Sequence, residues 1–168
     1  YGLAASSVPQ ISPLAESGNF AGAKKKAFKS LLITLLVSLP AAVGLFFLAP
    51  LATRLIFGSL EGAEKQLLID LIRIMAVSSV TESLVQTSSA CLTALGSPVK
   101  STVTQWTSAI LRVGLTAALI AFTPLSISGA AWSANCAYLV AMLMNFWYIV
   151  RVGKNGKRGN ANENHSDR

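Results

Sequence analysis

SLLITLLVSLPAAVGLFFLAPLAT, residues Ser30 to Thr53, carries no ionisable side chain and follows directly on Lys24, Lys25, Lys26 and Lys29. At about 1.5 Å per residue such a run crosses a hydrocarbon core of about 30 Å, and lysines crowded at one end mark that end as cytoplasmic. The fold class this predicts is all-α, a polytopic transmembrane helix bundle. Pro40 and Gly44 would break a helix in water; in lipid, neighbouring helices satisfy the freed carbonyls, so a kink is expected at Pro40.

Composition points the same way. Hydrophobic residues make up 52% of the chain and charged ones 12%, and the mean hydropathy is +0.55. That leaves too little polar surface to cover a water-soluble domain. The net charge of +7 sits in blocks beside apolar runs, as topology signals do, so no nucleic-acid partner is expected. Cys91 and Cys136 lack the paired spacing of a zinc site or a disulfide framework and read as small, buried, reduced thiols. The chain opens on Tyr1 inside an apolar phrase and reads as a piece of a longer protein.

Working outward, residues 1–14 read as the end of a truncated transmembrane helix, and 15–29 as a basic cytoplasmic connector in which Asn19 is suited to N-cap the next helix. Four spans are expected, about 31–51, 67–95, 101–122 and 127–150. The second is the least apolar, interrupted by Asp70, Arg73 and Glu82, and stops at Gly96-Ser97-Pro98 as a helix C-cap should. The fourth follows the third after a short turn at Thr123-Pro124, and no formal charge falls between Val113 and Val150. Arg54 and Lys65 stand in the second connector, Lys100 in the third and none in the fourth; by this count the first, third and last segments are cytoplasmic. Residues 153–168, rich in Gly, Asn and charge, are expected to form a disordered cytoplasmic tail. His165 there has no companion ligands for a metal.

A charge in mid-membrane costs about 2.5 to 3.5 kcal/mol on insertion scales, so Glu82 and Arg112 require partners or water. Each lies on a polar stripe: Ser78, Ser79, Gln86 and Ser89 around Glu82; Gln105, Ser108 and Thr116 around Arg112. The two spans form a hairpin about Pro98, which puts both charges at similar depth and predicts that they pair or share a hydrated cavity. Glu82, Arg112, Gln86 and Gln105 are the substrate- or ion-pathway candidates, with a purely structural pair as the plainer reading. Asp70 and Arg73 are expected to form a surface ion pair of small energetic value. Small residues at Ser79, Ser83, Thr87, Ala90 and Ala94, at Gly114 and Ala118, and at Gly129 and Ser133 allow close helix approach. Trp106, Trp132, Trp147 and Tyr148 suit interface anchors. No nucleophile motif, phosphate loop or metal-ligand cluster is present, so neither enzymatic activity nor a cofactor is expected.

Several phrases in order resemble a known family: Val8-Pro9-Gln10-Ile11-Ser12, Leu39-Pro40-Ala41-Ala42-Val43-Gly44-Leu45, Thr93-Ala94-Leu95-Gly96-Ser97-Pro98, Arg112, and Ile127-Ser128-Gly129-Ala130-Ala131. They are similar to the C-terminal lobe of the bacterial oligosaccharide and polysaccharide flippases, the branch of the multidrug/oligosaccharidyl-lipid/polysaccharide exporter superfamily that includes stage V sporulation protein B and the lipid II flippase. The resemblance implies part of one lobe of a two-lobe transporter of the cytoplasmic membrane. Such a transporter moves a lipid-linked oligosaccharide or cell-wall precursor by alternating access, its partners being the bilayer, the lipid-linked sugar and a missing N-terminal lobe. Two alternatives stand beside it. A cation-coupled multidrug exporter of the same superfamily would use Glu82 as its ion site, and a non-transporting helical scaffold subunit would only bind a partner.

Overall fold

The computed structural model describes residues 2–58, 62–122 and 126–152. The tail at 153–168 with His165, and the turn at Thr123-Pro124, lie outside the described residues. Five helices follow in order: α1 (Gly2–Glu16), α2 (Phe20–Ile56), α3 (Gly62–Ala94), α4 (Pro98–Phe122) and α5 (Ser126–Arg151). The chain is thus an all-α bundle. α2 and the stretches Pro98–Ala121 and Ser128–Arg151 are long and apolar enough to cross a membrane.

Local chemistry sets the helix ends. The Asn19 side chain accepts from the Gly22 amide at 3.0 Å and starts α2. The lysines therefore stand inside α2, and the link from α1 is only Ser17 to Asn19, shorter than the connector expected over 15–29. Once Asn19 caps the first turn, the Ala and Lys residues beyond it favour helix. α3 ends in a Schellman motif: Ser97 donates to the Leu92 carbonyl and Gly96 to that of Thr93, both at 3.0 Å, with Gly96 at φ +75° and Pro98 opening α4. α2 runs without interruption through Pro40 and Pro50.

α2 is inside out by the standards of a water-soluble helix. Its buried residues are Ala23, Ala27, Thr34, Ala42, Ala49 and Thr53, whereas Leu36, Phe47 and Leu55 are more than 60% exposed. Small side chains let the backbone approach its neighbours and large ones meet lipid. α3 packs against all four other helices. That position explains why it falls short of the apolarity of a lipid-facing span: much of its surface meets protein, where Ser, Thr and Cys are tolerated.

The helices alternate in direction, and one end of the bundle collects the positive charge. There Ile11, Ala27, Cys91, Leu92, Leu95 and Ile149 form a buried cluster from the last turns of α1, α3 and α5 and the first turns of α2. Lys24 Nζ donates to the Val150 carbonyl at 2.8 Å, capping α5 from α2. Lys100 lies 5.9 Å above the Tyr148 ring and Arg151 4.0 Å above Trp147. The start of α2, the turn from α3 to α4 and the end of α5 therefore share one side, as the distribution of basic residues in the sequence requires.

Candidate functional site

Three polar faces lie along the bundle. The first is a groove of about 500 Å³ between α1, α2 and α3, whose polar wall is Thr34, Ser38, Ser79, Ser83, Gln86 and Thr87. Ser79, Ser83 and Thr34 spend their protons on carbonyls of their own helices, Ala76, Ser79 and Ser30, at 2.7 to 3.0 Å. Back-bonding of this kind satisfies a hydroxyl inside a helix and leaves lone pairs facing outward. Thr34 and Thr87 also meet hydroxyl to hydroxyl at 3.0 Å, closing one side of the groove.

The second face is a buried pin between α3 and α5. Asn145 is fully buried, and its Nδ2 donates to Ser88 Oγ at 2.9 Å and Ser89 Oγ at 3.0 Å. Among the described residues its Oδ1 has no hydrogen-bond partner. An amide at this depth finds no water, so the two serines fix the register of α5 against α3.

The third face joins α4 to α5. Ser101, Gln105, Ser108, Arg112 and Thr116 recur at helical spacing on α4. Ser108 donates to the Ala137 carbonyl at 3.4 Å, Thr116 meets Ser133, and Arg112 Nη1 donates to the Tyr138 hydroxyl at 3.3 Å with its guanidinium 5.9 Å from that ring. The apolar residues Val99 and Ile110 occupy the opposite side of α4 and are about 70% exposed.

These placements revise the expected pairing of Glu82 with Arg112. Among the described residues no ion pair joins them; the arginine turns to Tyr138 of α5, and Glu82 is half-buried near the middle of α3 without an ion-pair partner. The reason is topological, because α4 packs mainly against α5 and much less against α3. Of the other candidates, Gln86 lines the groove, Gln105 is exposed on the α4 stripe, and Pro40 is exposed on the uninterrupted α2. Asp70 and Arg73 do form the expected surface pair, at 3.7 Å, with Arg73 also 5.2 Å from the Phe46 ring. Cys91 is buried as expected, but Cys136 is exposed, since α5 turns Ser133, Ala134 and Ala137 inward instead. Gly114 and Ala118 likewise face outward rather than forming a helix contact.

Tyr138 and Asn145 are the candidate site residues that reading by charge passes over. The signal was present: each is a hydrogen-bonding side chain in an otherwise apolar run, and such groups in a membrane helix demand partners. Among the described residues no cluster of His, Cys, Asp or Glu is arranged to hold a metal ion. No protein-family model, curated protein or solved structure matches this chain.

Proposed function

We propose that this membrane protein is part of a transporter that flips a lipid-linked oligosaccharide or cell-wall precursor across the cytoplasmic membrane by alternating access, with the basic end of the bundle in the cytoplasm. The observation that carries the reading is Arg112, which is exposed near the middle of the membrane-length helix α4, bonded to Tyr138 and on the same face as Gln105. Facing lipid, that guanidinium would cost about 2.5 to 3.5 kcal/mol, so this face borders water or a second helical bundle. A planar guanidinium steadied by a phenol is suited to the phosphate oxygens of a lipid-linked sugar. In a two-bundle transporter the substrate site lies at the interface between bundles near mid-membrane, which is the depth of Arg112.

The test is flipping of a fluorescent lipid-linked oligosaccharide by the intact protein in proteoliposomes. Arg112→Gln should lower the rate at least tenfold, about the loss of one charge-assisted contact. Tyr138→Phe should lower it less, and Ile110→Ala, on the opposite side of α4, should leave it unchanged. Wild-type flipping by Arg112→Gln would overturn the reading. A second reading rests on Glu82, a half-buried carboxylate without an ion-pair partner among the described residues. If Glu82→Gln abolished efflux driven by a proton gradient while Arg112→Gln did not, a cation-coupled exporter would replace the flippase. Wild-type stability with no transport of either kind would favour a scaffold subunit.

A further inference from the structure

A further concavity lies between α2 and α3, toward the end of the bundle away from the lysines. It is a trough of about 330 Å³ walled by Leu39, Val43, Phe46 and Phe47 of α2 and by Val77 and Val80 of α3. Phe47 is 74% exposed and Leu39 and Val77 are half exposed, so the trough opens outward, where a membrane presents lipid. Along α2 it runs from Leu39 to Phe47, about 12 Å by the helical rise. Among the described residues none lines both this trough and the polar groove of Thr34 and Gln86.

The end of the trough nearer the start of α3 carries a pair of charges. Arg73, one turn before Val77, sets its guanidinium 5.2 Å from the centroid of the Phe46 ring. Asp70 stands about a turn further toward the start of the helix, 3.7 Å from Arg73 Nη1, and accepts from Gln66 Nε2 at 3.3 Å. Side chains of a helix lean toward its N-terminus, so both charges reach toward the headgroups of this leaflet. At 3.7 Å the two are too far apart to hydrogen-bond, and Arg73 Nε has no hydrogen-bond partner among the described residues. Both side chains are accessible, at 36% for Arg73 and 51% for Asp70, so each can take an outside partner. Along α3 the order is fixed: apolar trough, then cation, then anion. A phospholipid with a zwitterionic headgroup runs in the complementary order of acyl chain, phosphate and ammonium.

We propose that this trough binds phosphatidylethanolamine from the leaflet opposite the basic end of the bundle, with an acyl chain against Val43, Phe46 and Val77, the phosphate on Arg73 and the ammonium on Asp70. The primary ammonium donates N–H bonds to the carboxylate, which the quaternary ammonium of phosphatidylcholine cannot do. Phosphatidylglycerol brings no cation and leaves Asp70 facing an anion. This site is independent of the transport reading, since neither Arg112 nor Glu82 lines the trough.

The experiment titrates the intact purified protein, in mild detergent, with phosphatidylethanolamine, phosphatidylcholine and phosphatidylglycerol of identical acyl chains and reads bound lipid by native mass spectrometry. Phosphatidylethanolamine should bind about tenfold more tightly than phosphatidylcholine, the effect of one charge-assisted hydrogen bond, and more tightly than phosphatidylglycerol. Asp70→Asn should abolish the advantage over phosphatidylcholine and strengthen phosphatidylglycerol binding, a reversal that a merely structural ion pair would not produce. Arg73→Gln should weaken phosphatidylethanolamine about tenfold, and Val77→Trp, which fills the trough, should weaken all three lipids. Equal binding of phosphatidylethanolamine and phosphatidylcholine by the wild-type protein would overturn the proposal without recourse to any variant. So would tighter binding of phosphatidylglycerol than of phosphatidylethanolamine, or a phosphatidylethanolamine preference that survives Asp70→Asn. Unchanged binding by Val77→Trp would also overturn it, placing the lipid elsewhere on the bundle.

Discussion

α2 and α3 lie antiparallel along the bundle, and they solve opposite problems. The most apolar stretch of α2 is only 11% buried within the protein, so its leucines and phenylalanines face the bilayer and its contacts are made by Ala and Thr. α3 touches every other helix and buries Thr87, Ser88, Ser89, Cys91 and Leu92. Hydropathy therefore reports exposure to lipid more than centrality in the fold, because a residue surrounded by protein has no need to be greasier than its neighbours. The least hydrophobic long helix is the structural centre.

The sharpest way to break this contrast is to truncate one leucine on each helix. Leu92→Ala, fully buried in α3, should cost about 2 to 5 kcal/mol, while Leu36→Ala on the outer face of α2 should change stability by less than about 0.5 kcal/mol, both read from unfolding in detergent. Equal losses would mean that α3 is not the centre. Gly96→Ala tests the turn that returns the chain from α3 to α4. Nothing lies within 4 Å of the added methyl, so the expected loss of about 1 to 2 kcal/mol comes from the left-handed backbone alone.

Smaller effects resolve the polar contacts of α3. Asn145→Leu removes the bonds to Ser88 and Ser89 and should cost about 0.6 to 1.7 kcal/mol, the range for hydrogen bonds between membrane helices. A gain in stability would show that the unpartnered Oδ1 outweighs the two bonds made by Nδ2. Thr34→Val keeps the shape and deletes the bond to Thr87; a loss of about 0.6 kcal/mol in the same unfolding measurement is expected. Both residues are buried, so a loss above that of Asn145→Leu would move the main α3 fastening from α5 to α2.

Much of the architecture was readable in the primary structure because it depends on local rules. The uncharged run from Ser30 to Thr53 fixed a membrane-length helix, Asn19 its cap, and Gly96 with Pro98 the reversal between α3 and α4. The lysine-rich start of α2 and Arg151 at the end of α5 announced a shared side, which Lys24 and the Val150 carbonyl bring into contact. The candidate site was less readable. Arg112, Gln105 and Gln86 were visible as polar positions on apolar helices, and their stripes followed from the 3.6-residue period. Their partners were not, because a stripe states which residues share a face and says nothing of which helix that face meets.

Sequence alone thus determined that the chain is helical, that α2, α4 and α5 suit a bilayer, and that Gly96-Ser97-Pro98 turns the chain from α3 to α4, since each depends on solvation and capping within a few residues; it also expected a membrane span over 67–95 and a connector over 15–29, where the structure has the less apolar α3 and a link of only Ser17 to Asn19. Tertiary structure alone decided that Arg112 bonds to Tyr138 rather than to Glu82, that Asn145 pins α5 to α3, and that Cys136 faces outward while Cys91 is buried. Those outcomes depend on how rods of similar length and character are arranged around one another, and in lipid, where apolar surfaces are interchangeable, small differences in close packing and hydrogen bonding settle that arrangement.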